Sequence, residues 1–204
     1  QNPDTYFQSR ESVNPFYEAV PARVQQCMES LGELTGRHYK LVEYHGAPDA
    51  TDVIVLMGSG AATARTTVDW LNRQDRKTGV LVVRLYRPFP VQALLDALPK
   101  GVRRIAVLDR TKEPGAGGEP LLLDVQSALI DGLQRGLIKR LPWLSGGRYG
   151  LSSKEFTPAM CAAVFEELSS DAPRPRFTVG IVDDVSGLSL AWHPIGDLEP
   201  TSRV

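Results

Sequence analysis

The hydrophobic pattern of this chain changes period near residue 50. Before it, Phe16, Val20, Val24, Met28 and Leu31 recur at helical spacing. Asn14-Pro15 supplies a capping side chain and then proline at the first helical position, and Gly36 can stop the helix. Tyr39 to Tyr44 alternates weakly, as a short strand does, and Pro48-Asp49 reads as a turn. From Val53 the apolar residues form short unbroken runs. Val53 to Met57 (V-I-V-L-M) predicts a strand buried on both faces, followed by the turn Gly58-Ser59-Gly60 and a helix from about Ala61 to Arg73. Gly79 to Tyr86 is a second strand, Pro88 and Pro90 open a short helix through Leu98, and Arg103 to Leu108 is a third strand. After a loop at Gly115 to Gly118, Glu119 to Leu133 reads as a helix with Leu122, Val125, Leu129 and Leu133 inward. Strand and helix in strict alternation argue for an α/β fold with a mainly parallel, right-handedly connected sheet covered by helices.

The flanks are less regular. Ile138 to Leu144 reads equally as strand or loop, and Gly146-Gly147 as a breaker. Ser152-Ser153 can cap a short turn, Thr157-Pro158 starts a helix over Ala159 to Leu168, and Ala172 to Pro175 is a linker. Phe177 to Val182 is a last strand, ending at Asp183-Asp184. Gln1 to Val13 is polar without a sustained period. The expected organisation is a linker over 1–13, one α/β domain over 14–190 with its core sheet from about residue 53, and an irregular tail over 191–204.

Composition narrows the function classes. Of 204 residues, 42% are apolar and 23% charged, ordinary values for a globular domain. The formal net charge of −1 makes no electrostatic case for nucleic acid or an anionic membrane as partner. No apolar run approaches the roughly 18 residues of a transmembrane helix, and the first residues lack the basic-then-apolar pattern of a signal peptide. The expected location is the cytoplasm. Cys27 and Cys161 both sit in helix-like apolar patterns and are expected as buried, reduced thiols, with a single disulfide as the alternative. Without a C-x-x-C, the chain cannot by itself ligate an iron–sulfur cluster or a four-thiolate zinc.

The candidate chemistry lies at strand ends. Val82 to Phe89 and Val107 to Gly115 are apolar runs that end abruptly in charge and proline. In an open α/β sheet the carboxyl ends of parallel strands form the crevice for ligands or partner domains. Arg84 is expected either at an edge, in an ion pair with Asp109 on a neighbouring strand, or aimed into that cleft. Arg87 follows the strand end directly, and Pro88 fixes the exit of the chain. Asp109, Arg110, Thr111, Lys112 and Glu113, beside Pro114-Gly115, suit a phosphate-bearing ligand or a second domain, with a solvated loop as the alternative. Gly58, Ser59 and Gly60 can offer amides to an anion at a helix start, or simply make a tight turn; Thr63 replaces the third glycine of a dinucleotide fingerprint. Gly146 to Pro158 suits an ordered connection packed on something outside the domain, with a long surface turn as the alternative. Asp183-Asp184 suits a hard cation or a solvated cap. His38, His45 and His193 lack metal-ligand spacing, and no G-x-S-x-G occurs. No catalytic residue and no metal ligand is assigned.

Several blocks carry a family resemblance: D-T-Y-F-Q, N-P-F-Y, L-T-G-R-x-Y-K-L, G-A-P-D-A, V-R-L-Y-R-P-F, V-L-D-R-T-K-E-P-G, G-R-Y-G-L-S-S-K-E-F-T-P-A-M and F-T-V-G-I-x-D-D-V. From Asp4 to about Leu190 the chain resembles the second domain of pyruvate:ferredoxin (flavodoxin) oxidoreductases, which is similar to the C-terminal domain of transketolase. The resemblance implies a three-layer α/β/α fold and a parent enzyme that oxidatively decarboxylates pyruvate with coenzyme A, yielding acetyl-CoA and CO2 and reducing ferredoxin or flavodoxin. It also implies thiamine diphosphate, Mg and 4Fe-4S clusters held by other domains, so this chain is expected to bind none of them and to act as an inactive scaffold. Contacts from Arg87, Arg110 and Lys112 to coenzyme A stay open. So do a role as an interdomain module in a reductase of the sulfite reductase flavoprotein type, and one as a free coenzyme A or nucleotide binder. Former interfaces exposed in an excised domain predict self-association.

Overall fold

A computed structural model describes residues 2–196 and 198. Helices α1 (Pro3–Glu11) and α2 (Asn14–Thr35) precede strand β1 (Val42–Gly46). Then come β2 (Asp52–Leu56), α3 (Gly60–Asn72), β3 (Thr78–Val83), α4 (Val91–Ala97), β4 (Arg104–Asp109) and α5 (Pro120–Gln134). The chain continues through β5 (Trp143–Arg148), a 3-10 turn (Leu151–Ser153), α6 (Pro158–Leu168), β6 (Arg176–Val179) and β7 (Ser189–Leu190). The seven strands form one sheet in the order β1-β3-β2-β4-β5-β6-β7. Every pairing is parallel except that of the edge strand β1 with β3.

The layers follow from strand composition. β2, β3 and nearly all of β4 are buried along their length, so both faces of the sheet must be covered. On one face Ile54, Leu56, Val80, Val82 and Leu108 pack with α3 and α6 residues such as Val68, Val164 and Phe165. On the other, Val53, Val55, Leu81, Ile105 and Val107 pack with Leu94 of α4 and with Leu121, Val125 and Leu129 of α5. This is the three-layer α/β/α architecture with a mainly parallel sheet that the alternating pattern predicts.

Several local expectations are corrected. Pro3–Glu11 is helical, capped by the Asn2 side chain, although it buries nothing and has no apolar period. The sheet begins at Val42, because Tyr39 to Tyr44 leads into an antiparallel edge strand on β3. The apolar stripe of α2 is real but poorly buried: Val20, Val24 and Met28 are half-buried, Phe16 is 76% exposed and Gly32 is the helix's only buried residue. Leu133, read as inward, is also exposed at the end of α5.

Gly146-Gly147 lies inside a strand and breaks nothing. A side chain on Gly146 would meet Leu122 Cδ2 at 2.5 Å, and one on Gly147 would meet Leu108 Cδ2 at 2.6 Å and the Phe177 ring. Large neighbours fill both faces of β5, so only glycine lets the strand through. β6 ends earlier than its apolar run, at Gly180, whose φ of 92° is left-handed territory. β7 then adds a further strand after the one read as the last.

Candidate functional site

The sheet order reverses direction at β2. The chain leaves β2 for β3 on one side, and β4 returns to its other side. The carboxyl ends of β2 and β4 therefore flank a topological switch point, where open α/β sheets hold their ligands. Gly58-Ser59-Gly60 leaves β2 here, and Asp109 to Gly115 leaves β4. The structure thus brings together the two segments that the sequence marks separately.

Their polar groups are largely engaged with one another. Asp109 is buried and accepts from the amides of Leu121 at 2.9 Å and Leu122 at 3.1 Å, one oxygen to each. It caps α5 from the end of the neighbouring strand, satisfying donors that a helix start leaves free. Burial pushes its carboxyl above the ordinary value, helped by the nearby charges of Glu119 and Asp124, while the two amides pull it down. Arg110 donates from Nε to the carbonyl of Gly150 at 2.8 Å and from Nη1 to Ser59 Oγ at 2.8 Å. One guanidinium so ties three loops across the switch point. Beneath it Tyr149 lies buried beside Gly60, where an added Cβ would fall 2.6 Å from the phenol oxygen. The Tyr149 hydroxyl donates to the carbonyl of Met57 at 3.3 Å, and burial raises its pKa.

The other sequence-selected residues stand apart from this knot. Arg84 does not pair with Asp109. β2 separates β3 from β4, so the partner of Arg84 comes from the edge strand: Glu43, at 2.7 Å from Nε and 3.1 Å from Nη2. Glu43 also pairs with Arg65. Burial raises the Glu43 carboxyl, but the bonds from Arg84, Arg65 and the Lys40 amide outweigh it and leave it lowered. Arg87 stacks on Tyr86, 4.0 Å from the ring centre, with Nη1 2.7 Å from Asp124 Oδ2 in an approach that lacks hydrogen-bond geometry. Thr111 is half-buried, Gly58 and Glu113 are exposed, and Lys112 lies 3.8 Å from Glu119.

Gly146 to Pro158 divides into two parts. Gly146, Gly147 and Tyr149 pack on the domain's own core, against the expectation of an outside partner, whereas Leu151 to Glu155 are exposed. Ser152 and Ser153 both take positive φ, 53° and 62°. Cys161 is buried with its thiol pushed up to about 12 by desolvation; Cys27, expected buried, is exposed. Asp184 accepts from the Ser186 amide and hydroxyl and from the Ser189 amide, which closes the loop before β7 and lowers its carboxyl. Arg148, Glu119 and Thr178, also near these strand ends, are not among the residues that the sequence selects as site candidates. The register Asp109–Arg148–Thr178 across β4, β5 and β6 brings Arg148 and Thr178 into one row, and Glu119, at the start of α5, lies 3.4 Å from Arg148.

Residues 50–149 match the family model described as pyruvate:ferredoxin oxidoreductase core domain II. A pyruvate-flavodoxin oxidoreductase of Trichormus variabilis is 55% identical over 204 residues, which are 100% of this chain and 17% of that protein. The chain belongs to the pyruvate:ferredoxin oxidoreductase family. A pyruvate:ferredoxin oxidoreductase of Moorella thermoacetica is 53% identical over 200 residues, covering 98% of this chain and 17% of that protein. The chain therefore spans about a sixth of the length of these relatives and corresponds to one domain of a larger oxidoreductase. A solved 2-oxoglutarate:ferredoxin oxidoreductase from Magnetococcus marinus, with 2-oxoglutarate, coenzyme A and succinyl-CoA bound, is 21% identical with a TM-score of 0.43, over 63% of this chain and 20% of that one. No described helix is long and apolar enough to cross a membrane.

Proposed function

We propose that this chain is a supporting, non-catalytic domain of an oxidoreductase that decarboxylates pyruvate oxidatively with coenzyme A and passes the electrons to ferredoxin or flavodoxin. One observation carries the reading: relatives bearing that name match the chain end to end, yet it accounts for 17% of their length. The same reading has the enzyme in the cytoplasm, with thiamine diphosphate, Mg and iron–sulfur clusters bound elsewhere in the long chain.

The donor set here does not fit a cluster or a side-chain metal site. A cubane cluster takes about four thiolates, and this chain has two cysteines, one exposed and one inside the α6 core. Among the described residues no group of three His, Cys, Asp or Glu side chains converges as metal ligands. What the residues can do is hold elements in place. Asp109 fixes the start of α5 to β4, and Arg110 fixes the β2, β4 and β5 loops to one another. Arg87, Lys112 and Glu113, together with the Gly58 turn, then present side chains and backbone outward as interdomain contacts.

The test is made on the full-length oxidoreductase. Arg110→Ala is expected to lower the melting temperature and the pyruvate-dependent reduction of viologen, with KM for pyruvate unchanged. The 204-residue chain alone, supplied with thiamine diphosphate, Mg2+, coenzyme A and viologen, is expected to give no turnover. Turnover by that chain, or a shift confined to KM, refutes the supporting role.

A further inference from the structure

We propose that the cleft at the carboxyl ends of β5 and β6 binds a small organic anion with an apolar body. The cleft is a cavity of about 610 Å3, a size that suits a small ligand. Its apolar wall includes Leu151, Ile181 and Val182, and its cations are Lys112, Arg148 and Lys154. This inference does not depend on the supporting role proposed above.

Charge and polarity in the cleft are left unbalanced. Arg148, its side chain 12% exposed, lies 3.4 Å from Glu119, and Lys112 lies 3.8 Å from the same oxygen. One buried carboxylate thus serves two cations, and Lys154 adds a third at the rim, with Asp183 as the opposing acid among the lining residues. Thr178, 6% exposed, also lines the cavity, and its hydroxyl has no hydrogen-bond partner. Buried polar groups in folded proteins are nearly always bonded, so an orphan in a cavity wall points to a partner that arrives later.

The lip has the opposite character. Ile181 is exposed and Val182 is 87% exposed. A bare inorganic anion makes no use of that lip, and an uncharged apolar molecule leaves the cations unanswered. A ligand with an anionic head directed at Arg148 and Lys112, and an apolar body against Ile181 and Val182, answers both. The head can be a carboxylate or a phosphate monoester, since each accepts from a guanidinium in bidentate fashion.

The experiment is calorimetric titration of the 204-residue chain with 4-phenylbutyrate and with phenyl phosphate, beside inorganic phosphate and 4-phenylbutanol. At least one of the two amphiphilic anions is expected to saturate one site, at least tenfold more tightly than either half-probe. The better head identifies the ligand as a carboxylic acid or a phosphate ester. Lys154→Gln and Val182→Asp, both at exposed positions, are expected to weaken binding at least fivefold with unchanged melting temperature. Thr178→Val is expected to weaken it without lowering the melting temperature, which a hydroxyl with a structural partner would do. Failure of both anions to bind overturns the proposal, because the cleft is then a seat for a neighbouring segment of a longer chain. Equal binding by inorganic phosphate, or binding unchanged in all three variants, overturns it as well.

Discussion

At the switch point, Asp109 gives one oxygen to each of two amides of α5, and Arg110 joins Ser59 to the Gly150 carbonyl. Further along the same edge, Arg148 at the end of β5 and Lys112 share Glu119 at the start of α5, and the hydroxyl of Thr178 in β6 bonds to nothing. Both corners are built from charged and hydroxyl side chains at the carboxyl ends of parallel strands and on the loops that follow them. The difference comes from what covers them. α5 starts directly over the end of β4, whereas among the described residues α6 packs with α3 on the face of β6 opposite to Thr178. A strand-end polar residue is thus not a site by type; it becomes one where its bonding capacity is left unused.

Substitutions at equivalent positions of the two corners separate these cases. The largest effect is expected for Asp109→Ala, which strips two buried amides of their acceptor and should lower stability by about 3 kcal/mol in urea unfolding. A loss below about 1 kcal/mol would show that Asp109 does not hold the corner together. Next come the two hydroxyls. Tyr149→Phe removes a bond to the Met57 carbonyl and should cost about 1 kcal/mol, while Thr178→Val removes an unbonded group and should stay within about 0.5 kcal/mol of the original or above it. Equal losses at the two positions would erase the contrast.

A smaller, pH-dependent difference sharpens the same point. The folded Asp109 carboxyl titrates above its ordinary value of 3.8 because of burial. The native state therefore holds its proton more tightly than the unfolded chain does. Stability from this group falls as pH rises from about 3.8 to the folded value. Asp109→Asn lacks that fall, so its deficit against the original protein should shrink as pH rises through this window. Glu43 behaves oppositely. Its carboxyl is lowered, so its contribution is present above the ordinary value of 4.5 and lost as pH falls through the folded one. A Glu43→Gln deficit that grows rather than shrinks with rising pH, over the acid range, checks the sign.

Much of the architecture was legible from patterning. The apolar runs within Val53 to Met57, Gly79 to Tyr86 and Arg103 to Leu108 are the three central strands, because strands covered on both faces need no polar alternation; β3 stops at Val83, short of the predicted Tyr86. The limits of β5 and β6 were not legible. Gly146-Gly147 resembles a turn until Leu122, Leu108 and Phe177 are seen filling the space around it. The helix Pro3–Glu11 was missed because it buries no face that could have left a period.

By itself, the amino-acid order determines the alternation of strands and helices, the capped helix start at Thr157-Pro158, and the loops where charge gathers; at Asn14-Pro15 it places the helix but not the cap, since Val13 precedes the first turn and no side chain caps it. These are local consequences of backbone preference and of burying apolar surface. The tertiary structure alone decides which of those charges meet. Arg84 finds Glu43 rather than Asp109 because a strand intervenes, and Ser59, Arg110 and Gly150 converge because the sheet reverses direction at β2. Strand order is set by the packing of both faces at once, a global free energy that no segment carries alone. The stripe of α2 marks the same boundary: its period predicts the helix, and nothing in that period says what covers Phe16.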